Sequence, residues 1–244
     1  MSELDFTGKT VLVVGGSSGI GNGISHAFKD KGATVHVWGT RAKASDYSAA
    51  EGSDMTGLHY DRMDVSDFDA IEKYNAPFKS LDVLVLSQGT VIYQRGEFKM
   101  DGFQKVMDVN INSLMACAIK FHDMLAASKG SLITVSSTAA FHSTRGNPAY
   151  NASKTGAVGL TRTLAEAWAK DGIRVNGIAP GLVDTKLTKV TTENPERLKG
   201  SLQGIPMRRL GTPQDMAGVA LFLASPLASY VLGQTIPVDG GLIL

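Results

Sequence analysis

Residues 10–21 read TVLVVGGSSGIG, a short apolar run that passes directly into a cluster of glycines. The β-branched run predicts a strand, and the residues after the glycines have a helix-like pattern. Glycines let the backbone turn tightly and approach a pyrophosphate, whose charge the amides and positive dipole of a helix N-terminus attract. The order strand, glycines, helix therefore predicts a phosphate-binding turn, with a plain tight turn as the alternative. The spacing is Gly-x-x-x-Gly-x-Gly, not the common dinucleotide fingerprint.

Runs of the same kind recur along the whole chain of 244 residues. They lie near residues 9–14, 34–38, 57–60, 81–86, 131–136, 173–179 and 234–238, and helical patterns separate most of them. Right-handed crossovers between such strands give a doubly wound sheet. We therefore expect an α/β fold, a single Rossmann-like domain over residues 1–244 with about seven parallel strands and helices on both faces. Residues 40–56 are small and polar, so the helix after the second strand is expected to be short or missing.

Composition excludes several classes of partner. The 24 basic and 23 acidic residues give a net charge of +1, which leaves no broad electrostatic footprint for nucleic acid or an anionic membrane. Residues 1–5 carry acids and no apolar core, so we expect no signal peptide and a cytoplasmic protein. The single cysteine, Cys117, cannot form an internal disulfide, which suits a reducing compartment, and its apolar surroundings predict a core position.

The longest uncharged run, residues 216–238, raises the question of a membrane span. Pro226, Gly233 and Pro237 interrupt it, and a helix-start signal stands before it at residues 212–215. The run is therefore interpreted as a helix, a loop and the last strand. The five histidines have no spacing typical of a metal site, so no metal is predicted.

A second constellation lies in the middle of the chain. Ser137 follows the strand-like run 132–136, and hydroxyls at the carboxyl ends of such strands lie where open α/β sheets bind ligands. Tyr150 and Lys154 are four residues apart, so a helix presents both on one face. A phenol with a pKa of about 10 is a poor acid or base at neutral pH, but a nearby cation lowers that pKa. The alternative is an ordinary surface pair with a snorkelling lysine.

Together the two constellations resemble the short-chain dehydrogenase/reductase family over essentially the whole chain. The resemblance implies hydride transfer between a nicotinamide cofactor and a carbonyl or secondary alcohol. It makes Tyr150 the general acid/base, gives Ser137 the substrate oxygen, and gives Lys154 the nicotinamide ribose and the lowering of the tyrosine pKa. Asn110, in the segment DVNI at residues 108–111, matches the asparagine that holds a water in the proton relay.

The resemblance also implies the contacts to the cofactor. The matching positions lie in the glycine-rich turn and at the ends of later strands: Gly15, Ser17, Ser18, Gly19, Ile20, Asp64, Val65, Gly89, Tyr150, Lys154, Pro180, Gly181, Val183 and Thr185. Asp64 and Val65 match the pair against the adenine, although a capping box from Ser66 to Asp69 would make them only a strand end. Two departures stand out: Val14 replaces a threonine, and LSQG at residues 86–89 replaces Asn-Asn-Ala-Gly.

The end of the second strand sets the choice of cofactor. An acidic residue there accepts hydrogen bonds from the ribose of NAD, whereas arginine favours the 2′-phosphate of NADP. Gly39, Thr40 and Arg41 stand at this place, with no carboxylate. We therefore expect Thr40 and Arg41 to contact the cofactor and NADP to be preferred to NAD. The alternative is that Arg41 is a solvated loop cation.

The substrate and the assembly are less closely defined. Residues 91–93, 141–144 and 182–210 are the expected walls of a pocket for a small or mid-sized ketone, with His142 either a contact or a solvated loop residue. A 3-oxoacyl chain on an acidic carrier protein is the second candidate, because SKGS at residues 128–131 offers little basic docking surface. A nucleotide-binding sensor or scaffold is the non-enzyme alternative. In proteins that resemble this family, the region of residues 216–238 and the long helix near residues 148–170 build subunit contacts. Together with the apolar tail at residues 242–244, this resemblance predicts a homotetramer with two-fold symmetries.

Overall fold

Within residues 3–244, which the computed structural model describes, seven strands form one parallel sheet. Their bounds are Thr10–Val14 (β1), Thr34–Gly39 (β2), His59–Arg62 (β3), Val83–Leu86 (β4), Ser131–Val135 (β5), Arg174–Pro180 (β6) and Thr235–Val238 (β7). The order across the sheet is β3-β2-β1-β4-β5-β6-β7. The direction of winding reverses between β1 and β4, so a crevice opens at the carboxyl ends of these strands. Met1 and Ser2, two of the five residues on which the expectation of no signal peptide rests, lie outside the described residues.

Helices cover both faces of the sheet. The α-helices of the described chain are Gly19–Asp30 (α1), Phe68–Lys73 (α2), Met100–Met107 (α3), Ser113–Ser128 (α4), Pro148–Trp168 (α5), Lys189–Thr192 (α6), Pro195–Gly204 (α7) and Pro213–Ala224 (α8). Helices α1 and α8 pack on each other and on one face, and α4 and α5 supply the core of the other. The predicted doubly wound α/β fold is confirmed.

Strand β1 shows why the fold has two cores. Val11 and Val13 point into one core with Phe28 of α1, whereas Leu12 points into the other with Phe121 of α4. Successive side chains of a strand point to opposite faces, so a strand buried on both sides must be apolar throughout. This requirement explains the uninterrupted run that starts the chain's first motif.

Two local predictions can now be judged. The connection between β2 and β3 holds only two short 3₁₀ turns, Ala44–Asp46 and Ala49–Glu51, which confirms that its helix is missing. The capping box from Ser66 to Asp69 was wrong, because Asp67 is the cap of α2 and accepts from the Ala70 amide at 2.9 Å. Ser66 instead donates its hydroxyl to Asp64.

The long uncharged run has the predicted form. It begins in α8, passes through a 3₁₀ turn at Pro226–Ala228 and ends in β7. Thr212 and Asp215 form a capping box at the start of α8, as the sequence indicated. No helix within residues 3–244 has both the length and the apolar character needed to cross a membrane. Cys117 is a core residue, and burial raises the pKa of its thiol to about 12.

Candidate active site

A cleft of about 560 Å³ opens at the carboxyl ends of the central strands, where the topology predicts a ligand site. Most of the predicted site residues line it: Gly15, Ser17, Ser18, Gly19, Ile20, Thr40, Asp64, Val65, Gly89, Ser137, Tyr150, Lys154, Pro180, Gly181, Val183 and Thr185. Asn110 and Arg41 lie outside this lining. The sequence reasoning did not identify Trp38, Met63 and Lys105, which also line the cleft.

The glycine-rich turn forms one end of the cleft. Gly15 has a φ of +75°, and a Cβ there would lie 2.8 Å from the backbone nitrogen of Gln88. A Cβ on Gly21 would lie 2.3 Å from the carbonyl oxygen of Gly15, so the turn packs directly on the first turn of α1. Ser18 precedes α1 without a side-chain cap hydrogen bond, and the first turn of α1 has no acidic residue. These features fit a pyrophosphate at the helix N-terminus.

The C-terminal segment packs against Gly181, which lines the cleft. Gly181 donates its amide to the Val238 carbonyl at 3.0 Å. A Cβ on Gly181 would lie 2.7 Å from that of Asp239, so the two segments touch only because residue 181 is glycine. Residues 238 and 239 therefore support the backbone at Gly181.

Lys154 is a buried cation at the floor of the cleft. Its side chain is 4% exposed, and its Nζ donates to the Val135 carbonyl at 2.9 Å. Burial lowers the pKa of Lys154 to about 8. The hydroxyl of Ser136 donates to the Lys154 carbonyl at 2.7 Å, which ties α5 to the end of β5. The lysine is thus held in place by the strand that also positions Ser137.

Tyr150 is half-buried on the same face of α5. Burial raises the pKa of its phenol, the nearby Tyr93 and Glu97 raise it further, and a hydrogen bond with Ser137 opposes the shift. The expected lowering of this pKa by Lys154 was wrong for this structure. The Lys154 Nζ lies 5.8 Å from the centre of the Tyr150 ring and bonds to a backbone carbonyl, so desolvation prevails.

Glu97 is a buried acidic residue beside Tyr150 that sequence reasoning missed. Its carboxylate is 1% exposed and accepts from the amide of Tyr150 at 2.9 Å, from the amide of Ile92 at 3.0 Å and from Nδ2 of Asn147 at 3.2 Å. It therefore joins the first turn of α5 to the loop after β4. No sequence signal could have found it, because a glutamate in a polar turn is ordinary and only the tertiary fold buries it.

Asn110 lies in a π-helical segment, Asp108–Asn112, between α3 and α4. π-Helical turns inside helices are frequent at functional sites. The Asn110 side chain is fully buried, accepts from the Thr90 amide at 2.7 Å and donates to Ser153 Oγ at 3.1 Å. A Cβ on Gly89 would lie 3.3 Å from Lys154 Nζ and 3.7 Å from Asn110 Oδ1, so both side chains approach the Gly89 backbone closely. Asn110 therefore lies near Gly89 and Lys154, and its role in holding a water of the proton relay stays a prediction.

Arg41 points to its own loop and does not line the cleft. Its guanidinium donates to the Asp46 carbonyl, lies 4.8 Å from the centre of the Tyr47 ring and is 3.6 Å from the Glu51 carboxylate. Glu51 also pairs with Lys186 at 2.9 Å. The connection between β2 and β3 is therefore linked to the segment after Thr185 across the mouth of the cleft.

The expected substrate walls meet above Tyr150. The Tyr93 hydroxyl donates to the Leu187 carbonyl at 2.8 Å, which joins the loop after β4 to the 182–210 segment. His142 is exposed, and its Nδ1 hydrogen-bonds with the Ser143 carbonyl at 2.9 Å, which favours the solvated-loop interpretation. Asn151 of α5 donates to the His142 carbonyl at 2.8 Å and so fixes the loop that carries Ser137.

A family model described as "Enoyl-(Acyl carrier protein) reductase" matches residues 14–243. The chain belongs to the short-chain dehydrogenase/reductase family. The 3-oxoacyl-(acyl-carrier-protein) reductase FabG of Chlamydia pneumoniae is 38% identical to this dehydrogenase/reductase and covers 98% of this chain and 99% of its own. The 2-dehydro-3-deoxy-D-gluconate 5-dehydrogenase of Pseudoalteromonas atlantica is 37% identical, with 99% and 98% covered.

A solved structure extends the likeness to the fold. The gluconate 5-dehydrogenase of Burkholderia cenocepacia J2315, in complex with NADP and tartrate, is 25% identical, has a TM-score of 0.87 and covers 98% of this chain and 97% of its own. The family and the cleft agree on the class of chemistry. This short-chain dehydrogenase/reductase is an oxidoreductase that transfers a hydride between a nicotinamide cofactor and a carbonyl or secondary alcohol.

Proposed function

We propose that the enzyme interconverts a small or mid-sized ketone and its secondary alcohol with NADP, and that Tyr150 is the general acid/base. The observation that carries the proposal is the meeting of Ser137 and Tyr150 in the cleft beside the buried cation of Lys154. The cofactor, when bound, supplies or accepts the hydride. The positive φ of Gly15 in the glycine-rich turn, and the lack of a side chain at Gly89 beside Lys154 Nζ, fit such a dinucleotide.

The protein's own groups handle the proton. In reduction, Tyr150 donates its phenolic proton to the substrate oxygen, and Ser137 hydrogen-bonds the same oxygen as negative charge develops there. Lys154 holds positive charge close to the phenol and contacts the nicotinamide ribose. Asn110, which holds the backbone at Thr90 beside Lys154, positions the water that returns a proton to the tyrosine.

The preference for NADP rests on the end of β2. Gly39 and Thr40 stand where a carboxylate would accept hydrogen bonds from the ribose of NAD. A Cβ on Gly39 would lie 2.6 Å from Ser17 Oγ, so the cleft has no room for an acidic side chain there. The related gluconate 5-dehydrogenase, solved with NADP, supports the same preference.

The Tyr150→Phe variant tests the assignment. We expect reduction of a panel of ketones, followed by loss of NADPH absorbance, to fall at least about a hundredfold, because general acid catalysis is worth that much. NADPH binding should be retained, and Tyr230→Phe, a change at a fully exposed tyrosine, should leave turnover unchanged. Normal turnover by Tyr150→Phe would overturn the assignment. Tyr150-dependent turnover of any carbonyl also rejects the sensor or scaffold alternative.

The second candidate substrate is a 3-oxoacyl chain on a carrier protein, which the name of the Chlamydia relative favours. It needs a basic surface for an acidic carrier, and Lys129, in an exposed left-handed turn after α4, is the only cation in the SKGS segment. Comparing kcat/KM for carrier-bound and free 3-oxoacyl thioesters discriminates the two. A large advantage for the carrier-bound form would favour this candidate.

We further propose a cytoplasmic homotetramer. Supporting it, Leu244 is fully exposed, Leu227 is 49% exposed and Leu232 is 39% exposed, an apolar set near the C-terminus that water solvates poorly. Burial between copies related by two-fold axes would remove this surface from water. Light scattering on the purified protein should give four times the chain mass of 25.8 kDa, and a monomer would contradict the proposal.

A further inference from the structure

The Tyr47 hydroxyl occupies an unusual position at the carboxyl end of β2. A Cβ built on Gly39 would lie 2.4 Å from Tyr47 Oη and 2.6 Å from Ser17 Oγ. These contacts are far shorter than real Cβ contacts, so the two hydroxyls fill the volume that a side chain at position 39 would take. Gly39 is buried, and Ser17 and Thr40 line the cleft on either side of it.

The missing helix between β2 and β3 brings Tyr47 to this place. The connection returns after only a 3₁₀ turn, and the Tyr47 ring packs edge-on against Tyr60 of β3 at 5.5 Å between centres. The Arg41 guanidinium covers the ring at 4.8 Å. A ring held by contacts with two side chains presents its hydroxyl at a defined point.

The Tyr47 oxygen is surrounded by donors. It accepts from the Arg41 amide at 3.1 Å, and hydrogen bonding with the nearby hydroxyls of Ser17, Tyr60 and Thr40 also acts on it. Burial raises the pKa of Tyr47, but these bonds outweigh burial and lower it. The Tyr47 oxygen accepts from the Arg41 amide and can still donate its own proton to a further acceptor. The hydroxyls of Tyr47, Ser17 and Thr40 and the Arg41 amide thus lie together at the carboxyl end of β2, where the adenosine ribose of a dinucleotide lies in such folds.

We propose that Tyr47 is a specificity-determining residue that donates a hydrogen bond to the 2′-phosphate of the adenosine ribose. Its hydroxyl favours the 2′-phosphate in two ways. It supplies a donor to an anionic oxygen, and it excludes from position 39 any carboxylate that would hold an unphosphorylated ribose. This inference rests on the proposed use of NADP and adds to it the residue that makes the choice.

The test separates adenosine recognition from catalysis. Isothermal titration calorimetry measures the affinity of the whole enzyme for 2′,5′-ADP and for 5′-AMP, which differ only in the 2′-phosphate. We expect the wild type to bind 2′,5′-ADP more tightly. Tyr47→Phe keeps the ring and removes one charge-assisted hydrogen bond, so it should weaken 2′,5′-ADP about tenfold and 5′-AMP by less than about twofold. Tyr230→Phe, the matched change at an exposed tyrosine, should alter neither affinity.

Gly39→Ala is the second variant, and its methyl group would displace the Tyr47 and Ser17 hydroxyls without removing either. We expect the same selective loss of 2′,5′-ADP affinity. If the wild type prefers 2′,5′-ADP but Tyr47→Phe keeps that preference, or loses both ligands equally, the role of Tyr47 is overturned and the use of NADP stands. If the wild type binds both fragments equally, the preference for NADP and the role of Tyr47 are both overturned.

Discussion

Lys154 shows at the scale of one residue how function opposes stability. A fully buried ammonium is costly, and burial lowers its pKa from 10.5 to about 8. At 1.36 kcal/mol for each pKa unit, the charged form destabilises the fold by about 3 kcal/mol at neutral pH. This cost is present below pH 8 and disappears as the pH rises toward the unfolded value of 10.5, because the unfolded chain then holds the extra proton.

We therefore expect Lys154→Met to abolish turnover and to stabilise the fold at pH 7. The net gain should be about 1–2 kcal/mol, because the lost hydrogen bond to Val135 offsets part of the 3 kcal/mol. The gain should shrink at pH 10. Urea unfolding at both pH values measures it, with exposed Lys170→Met as the control. A loss of stability at pH 7 would show that the ammonium is better satisfied than its burial indicates.

Glu97 positions Tyr150 and also affects its protonation. The buried carboxylate holds the Tyr150 amide and is one of the charges that raise the pKa of the phenol. A raised pKa keeps the acid form over a wide range, so reduction should be constant through neutral pH and fall only in alkali. Glu97→Gln removes the charge, so the decline should move to lower pH.

Glu97→Gln should also lower kcat roughly 10- to 100-fold, because small displacements of a catalytic group such as Tyr150 have effects of that size. The kcat profile against pH is the decisive reading, since a purely structural role would leave its midpoint unchanged. Glu166→Gln, an exposed change on α5, the helix that carries Tyr150, is the control. An unmoved midpoint would reduce Glu97 to a packing role.

Helix glycines provide a test at the scale of elements. A Cβ on Gly21 in α1 would lie 2.3 Å from the Gly15 carbonyl, whereas a Cβ on Gly218 in α8 would meet nothing within 4 Å. Gly21→Ala should therefore destabilise the fold by about 1–3 kcal/mol through overpacking. Gly218→Ala should stabilise it by about 0.5–1 kcal/mol, because alanine is the better helix former. Chemical unfolding curves measure both, and equal effects would contradict the close packing at the glycine-rich turn.

Elements were predictable where the signal is local. The apolar runs located every strand, since a strand buried on both faces must be apolar throughout, although β3 lies two residues later than its run. The cap of α2 was misplaced by one residue because Ser66 and Asp67 are both good caps and only the backbone geometry decides between them.

The unpredicted parts of the site depend on contacts between distant segments. The π-helical segment around Asn110 has no sequence signature, and the burial of Glu97 follows from its contact with α5. The position of Tyr47 could not be predicted. The sequence indicated that the helix after β2 is short or missing, but not the path that the chain takes in its place. The prediction that Lys154 lowers the pKa of Tyr150 was wrong, because the spacing of two residues on a helix indicates a neighbouring charge but not how deeply either residue is buried.

At the scale of the whole molecule, the two halves of the sheet line different ends of the cleft. Strands β1 to β3 and the turn after β1 line the nucleotide end of the cleft, and β5 and α5 carry Ser137, Tyr150 and Lys154 at the reacting end. Gln88 and Gly89 follow β4, which lies between the halves at the switch point. One cleft therefore carries both sets of residues, as the proposed hydride transfer requires.

The most direct test of this account is a fluorescence titration of the purified protein with NADPH and with NADH, because it needs no knowledge of the substrate. We expect that both dinucleotides bind and that NADPH binds at least about tenfold more tightly, because the 2′-phosphate adds hydrogen bonds. Failure of both to bind would contradict the central claim, because the cleft would then hold no cofactor. Tighter binding of NADH would leave the hydride-transfer mechanism in place and overturn the preference for NADP.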